Sequence, residues 1–135
     1  MTKPLDSVGA ITMFVDDPRR SKAFYADVFG APVIFEDETS VAFRFESTIV
    51  NLVNADSAQE LIEPAPVGRR DAGSRFQLTV WVDDADVASA ELRARGVELL
   101  NGPQDREWGV RTAAFADPDG HVWEIAQPLG EPEAS

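Results

Sequence analysis

Residues 11–17 read ITMFVDD, and residues 78–84 read LTVWVDD. Thr12/Thr79, Val15/Val82, Asp16/Asp83 and Asp17/Asp84 are identical, all at one constant offset. A string that recurs at fixed spacing means that one supersecondary unit occurs twice, which settles the architecture before any single element does. In each copy an apolar, β-branched run predicts a strand, and the aspartate after it supplies the side-chain oxygen that caps a following helix.

Working outward from the first copy, Asp17 is the expected cap and Pro18 sits at the first helical turn, where a missing N–H costs nothing. Phe24, Tyr25, Val28 and Phe29 form a helical stripe, and Gly30 suits the left-handed residue that ends a helix. In the second copy Asp84 is the cap, Val87, Ala90, Glu91 and Ala94 fall on one helical face with Leu92 flanking, and Gly96 closes. Three strands follow each helix: 32–37, 41–46 and 48–54, then 97–100, 110–116 and 121–126. Glu38, Thr39 and Ser40 are read as one hairpin turn. Residues 117–120, DPDG, make a stronger turn, with proline presetting φ and glycine supplying a positive φ. The expected class is therefore α+β, two βαβββ modules with curled mixed sheets and helices outside. The divisions are an N-terminal lead (1–7), a first module (8–54), a linker (55–74) with a short helix over 57–62, a second module (75–127) and a flexible tail (128–135).

Composition bounds the rest. With 135 residues, 44% of them hydrophobic, including eight Phe, three Trp and one Tyr, the chain has enough apolar matter for a sizeable core and is not a disordered segment. A formal charge of −12 opposes phosphate backbones and anionic lipid, so neither nucleic acid nor membrane is an expected partner. Arg19-Arg20 and Arg69-Arg70 are too short to make a basic footprint. The absence of cysteine removes disulfides and thiolate chemistry. The first residues lack the basic and apolar regions of a secretory signal, and no apolar run is long enough to span a bilayer, which makes the cytoplasm the expected location.

Residues 15–30, VDDPRRSKAFYADVFG, resemble the opening strand and helix of the glyoxalase/bleomycin-resistance/dioxygenase, or vicinal oxygen chelate, superfamily. Residues 108–125, WGVRTAAFADPDGHVWEI, resemble its closing hairpin. Trp108, Gly109 and Arg111 ahead of the DPDG turn also resemble the branch that binds bleomycin without changing it. The resemblance implies a small-molecule pocket and a homodimer. It also implies that metal-using members place ligands at the positions matched here by Ala10, Asn51, Gln77 and Glu124, around a common hollow.

Chemistry speaks against a metal in that set. Alanine has no donor atom, and Asn51 and Gln77 offer only neutral amide oxygens, which leaves Glu124 as the one strong ligand. No metal and no cofactor are expected. Period-two alternation puts Ala10, Thr12 and Phe14 on the cavity side, matched by Gln77, Thr79 and Trp81, while Ile11, Met13, Val15, Leu78, Val80 and Val82 pack under the helices. Glu124 interrupts an apolar strand on the cavity side. If buried there it needs a donor, for which Gln77, Asn51 or Arg111 is a candidate. A carboxylate buried without one gains basicity, as a general base requires. His121, the single histidine, is expected to be exposed at its turn.

The expected ligand-binding set is Phe14, Asn51, Gln77, Trp81, Trp108, Arg111 and Glu124, with Phe43 or Phe45 as a further wall. Alternation leaves open on which side Arg111 falls. The leading expectation is a metal-independent pocket that sequesters a small aromatic or cationic molecule such as an antibiotic. The alternative is an enzyme of the superfamily, a lyase, isomerase or dioxygenase, with Glu124 as general base or metal ligand. A third is an accessory module with a vestigial cavity.

Overall fold

The computed structural model describes residues 5–130, and its chain divides into two compact units between Arg69 and Arg70. Residues 1–4 of the expected lead and 131–135 of the expected tail lie outside the described residues. In the first unit β1 (Ala10–Val15) is followed by α1 (Pro18–Val28), β2 (Val33–Glu36), β3 (Ser40–Arg44) and β4 (Ile49–Asn54), and the sheet order is β1-β4-β3-β2. β1 runs parallel to β4, and the other two pairings are antiparallel. The second unit repeats the pattern with β5 (Gln77–Trp81), α3 (Ala85–Ala94), β6 (Leu99–Arg106), β7 (Val110–Ala116) and β8 (Val122–Pro128), in the order β5-β8-β7-β6. Both units are βαβββ modules.

The caps hold as physical chemistry requires. The Asp17 carboxylate accepts from the Arg19 N–H at 3.0 Å, and that of Asp84 accepts from Asp86 and Val87 at 3.0 and 3.1 Å. Each bond satisfies an N–H that the first helical turn leaves without an intrahelical partner. In the first module Tyr25 is fully buried, stacked on Phe29 with centroids 5.2 Å apart and 5.9 Å from Phe43. Aromatic pairs of this kind add about 0.5–1.5 kcal/mol beyond their area burial. Met13, Val15, Val41, Val50 and Leu52 complete that core. In the second module Phe115, Trp123, Ile125 and Leu92 are the large buried side chains.

Four differences from the sequence reading have local causes. The packed face of α3 is Ala85, Ser89 and Leu92, whereas Val87 is exposed, because the last apolar position, Leu92, sets the phase where the stripe is otherwise alanine. The short helix is longer by two residues at its start: α2 (Ala55–Ile62) is capped by Asn54, whose side-chain oxygen accepts from Asp56 at 2.9 Å, and it packs on β4 and β1. A 3₁₀ turn, Arg70–Ala72, opens the second unit.

The largest difference is β6, which continues through Gly102 and Pro103 to Arg106 instead of stopping at Leu100. Gly102 makes this passage with φ +83, and a Cβ there would run into the Thr112 carbonyl oxygen and stand 2.9 Å from Ala113 Cα. Only glycine lets the strand approach β7 so closely. The register shifts twice along β6, between Leu99 and Asn101 and again between Asn101 and Gln104, so that Leu99 faces Phe115, Asn101 faces Ala114 and Gln104 faces Thr112. No helix among the described residues is long and apolar enough to cross a membrane.

Candidate functional site

Each module packs one sheet face under its helix; the other face exposes Thr12 in the first module and Gln77, Thr79 and Trp81 in the second, while Ala42, Thr112, Ala114 and Ala126 on it are buried. Strand register assigns the side chains. In the first module Thr12 stands opposite Asn51, which stands opposite Ala42, and Phe14 lies one rung further, opposite Val53. Asn51 Nδ2 donates to Thr12 Oγ1 at 3.2 Å. In the second module Thr79 stands opposite Glu124, which stands opposite Ala114. There the Thr79 hydroxyl donates to Glu124 Oε1 at 2.8 Å. A threonine hydroxyl both donates and accepts. The same repeated threonine therefore meets an amide in one module and a carboxylate in the other.

The donor to Glu124 is thus Thr79, not Gln77, Asn51 or Arg111. The carboxylate is half-buried rather than sealed in the core, and its second oxygen stays available. Gln77 and Trp81 share its face, facing Val122 and Ala126, and Trp81 is 66% exposed. A large indole left in solvent beside a carboxylate, with only the short chains of Ala114 and Ala126 between the strands, makes a surface suited to a flat molecule with a hydrogen-bond donor.

Three expectations are corrected. Arg111 lies opposite Gln127, in step with Ala113 and Phe115, and so projects to the helix side of its sheet. There it bonds Asp105 at 2.9 Å and Asp86, on α3, at 3.0 Å, which hold its pKa above the usual guanidinium value. It is a strut between strand and helix, not a group on Glu124's face. Phe43 is fully buried against Tyr25, and Phe45 packs against Phe29 at 5.4 Å, so both serve the first module's aromatic cluster. His121 is half-buried, with Nδ1 2.9 Å from Asp117 Oδ2. Burial lowers its pKa, but the hydrogen bond to Asp117 and the charges of Asp117 and Asp119 outweigh this, and the net direction is upward. Trp108 sits in the β6–β7 turn and is 71% exposed.

Sequence reasoning missed Arg106. It pairs with Val110, which shares a face with Thr112, Ala114 and therefore Glu124. Its Nε donates to Thr112 Oγ1 at 2.9 Å and its Nη2 to Asn101 Oδ1 at 3.1 Å. The expected strand ended at Leu100, ahead of Gly102 and Pro103, and the next began at Val110, so Arg106 fell outside every expected element.

Ala10, Asn51, Gln77 and Glu124 do not fit a transition metal as a donor set. Ala10 contributes nothing, the Asn51 amide nitrogen is turned to Thr12, and one Glu124 oxygen is held by Thr79. Among the described residues no group of three or more His, Cys, Asp or Glu side chains is placed to hold a metal ion.

Comparison with known proteins gives a consistent answer. The profile of the Glyoxalase/Bleomycin resistance protein/Dioxygenase superfamily matches residues 7–125. The uncharacterized protein YraH of Bacillus subtilis is 34% identical over 123 residues, covering 88% of this chain and 96% of YraH. The metallothiol transferase FosB of Lysinibacillus sphaericus is 26% identical, covering 90% and 82% of the respective chains. The crystal structure of a glyoxalase/bleomycin resistance protein/dioxygenase from Nocardioides superposes with a TM-score of 0.83 at 25% identity, covering 98% of this chain and 89% of its own. With the duplicated βαβββ pattern and the profile agreeing over nearly the whole chain, this protein belongs to the Glyoxalase/Bleomycin resistance protein/Dioxygenase superfamily.

Proposed function

We propose that the protein binds a small planar organic molecule on the open face of its second module and sequesters it without a metal. The observation that carries this reading is the exposed Trp81 on the same face as Glu124, whose carboxylate Thr79 holds in place. Trp81 supplies stacking area, Glu124 accepts a donor or faces a cationic centre, and Gln77 offers an amide one rung away. Phe14 and Asn51 present the corresponding surface of the first module, and Trp108 extends the aromatic surface at the hairpin tip. The excess of 24 acidic over 12 basic residues favours a ligand with cationic character, as many antibiotics have.

Calorimetric titration with bleomycin-type and other planar cationic compounds tests the reading. Saturable heat is expected, with Trp81→Ala and Glu124→Gln each weakening binding about tenfold. Silence across the whole series would overturn it. The reading carries with it a cytoplasmic protein and a homodimer. Each sheet ends in edge strands, β1 and β2 or β5 and β6, whose outer hydrogen-bonding groups a second copy would cover. Sedimentation as a monomer only would remove the dimer.

A second reading, an enzyme, is favoured by the likeness to FosB over most of the chain. On that reading Glu124 takes a proton from the bound molecule, oriented by Thr79. Stoichiometric Ni, Zn, Mn or Fe in protein purified without chelators would favour a metal-using enzyme over sequestration. Full turnover by Glu124→Gln on an identified substrate would eliminate the base role.

A further inference from the structure

The second module carries two structural arginines on opposite sides of one sheet, and they are treated differently. Arg111, on the helix side, is neutralised by two carboxylates. Arg106, on the open side, is bonded to the neutral oxygens of Thr112 and Asn101. With the Gln104 amide turned so that its oxygen faces the guanidinium, that oxygen also accepts from Nη1 at 3.0 Å and Nη2 at 2.8 Å. Among the described residues no carboxylate pairs with Arg106, although the chain holds two acidic residues for every basic one.

The orientation of this group is built in. Thr112 is almost wholly buried, and its hydroxyl fixes Nε, while the Gly102 passage brings Asn101 and Gln104 onto the same face as Arg106 across the register shifts. A guanidinium held by neutral acceptors has a fixed plane and, among the described residues, no counter-charge beside it; with Nε, Nη2 and one Nη1 hydrogen engaged, one Nη1 hydrogen is left to meet an oxyanion. Arg106 itself stands opposite Val110, but its Nη2 reaches back along β6 to Asn101, which stands opposite Ala114, and Ala114 stands opposite Glu124.

We propose that Arg106 is an anion-recognising residue, and that the molecule bound on this face carries a carboxylate or phosphate group directed at it. The ligand is then amphoteric, with its oxyanion towards β6 and its donor or cationic end towards Glu124 on β8. This rests on the binding face inferred above and adds the charge of the second end of the ligand.

The test uses three aromatic probes of similar shape, 2-naphthoate, 2-naphthylmethanol and 2-naphthylmethylamine, titrated while tryptophan fluorescence is followed. Naphthoate is expected to bind about tenfold more tightly than the alcohol, with the preference shrinking as ionic strength rises. Arg106→Gln should bring the two within about twofold of each other, whereas Arg111→Gln, on the other side of the sheet, should leave the preference intact. Should Arg106→Gln fail to fold, the salt dependence in the unaltered protein, together with the effect of Asn101→Ala, which frees the guanidinium without removing its charge, gives the same reading. Naphthoate binding no better than the alcohol, or an equal preference in Arg106→Gln, overturns this inference and leaves the face itself standing. Silence from all three probes overturns it too, and the planar cations of the preceding titration then decide whether the binding face survives.

Discussion

The two modules share a backbone pattern and differ in what it presents. Thr12 and Thr79 occupy equivalent positions, each bonded to the residue opposite it on the last strand of its sheet, Asn51 in one case and Glu124 in the other. The first module's open face is neutral at this rung and the second's is negative. The helix faces differ in the opposite sense: an aromatic cluster around Tyr25 fills the first module, while alanines and Leu92 line α3 in the second. Duplication preserved the geometry that positions a group. The group itself was free to change, because a threonine hydroxyl serves an amide and a carboxylate equally well.

The largest effect should come from the helix cores. Tyr25→Ala empties a fully buried aromatic position, and Leu92→Ala its counterpart in the repeat. Losses of about 3–5 and about 2–4 kcal/mol respectively are expected in urea unfolding. A larger loss at Leu92 would mean that the second module, despite its smaller side chains, is the better packed.

A smaller effect is expected at the turns before the last strand. In the first module the turn between Phe45 and Thr48 is closed by a backbone hydrogen bond of 2.9 Å. In the second, buried Asp117 accepts from the N–H groups of Asp119 and His121, each at 2.9 Å, and from the His121 ring. The folded-state pKa of His121 lies above its ordinary value of 6.5. The stabilisation is therefore complete below pH 6.5 and is lost as pH rises through the folded value. Melting temperature should fall across that window, and His121→Asn should flatten the dependence. An unchanged slope in the variant would assign the effect to other groups.

The smallest effect concerns Ser89, whose hydroxyl is buried on α3 with no hydrogen-bond partner among the described residues. An unsatisfied buried hydroxyl costs about 1–3 kcal/mol of desolvation, so Ser89→Ala is expected to be neutral or to stabilise by up to about 1 kcal/mol. A clear loss on urea unfolding would show that the hydroxyl has a partner after all.

Much of this architecture was legible in the sequence, because it depends on local rules. The offset between the ITMFVDD and LTVWVDD strings announced the duplication, and the aspartates ending them are the helix caps. Alternation assigned the faces of β1 and β5, where Met13 and Val15 are buried while Thr12, Gln77, Thr79 and Trp81 lie open. The α3 stripe was misplaced because alanine carries too little apolar signal to fix a phase. His121 was misplaced because the side chain of Asp117, buried in the folded turn, draws its ring in.

By itself the sequence determined the two βαβββ modules, their caps and the sidedness of their uninterrupted strands, since these follow from backbone periodicity and hydrogen-bonding needs within a few residues. Only the tertiary structure decided that Arg111 stands under the helix with Asp86 and Asp105, that Arg106 stands half-buried on the opposite face beside Thr112, and that Thr79 is the partner of Glu124. The reason is register. Which residues meet across a sheet depends on how strands distant in sequence are aligned, and a close approach such as that at Gly102 resets the alternation on which a reading of one strand depends.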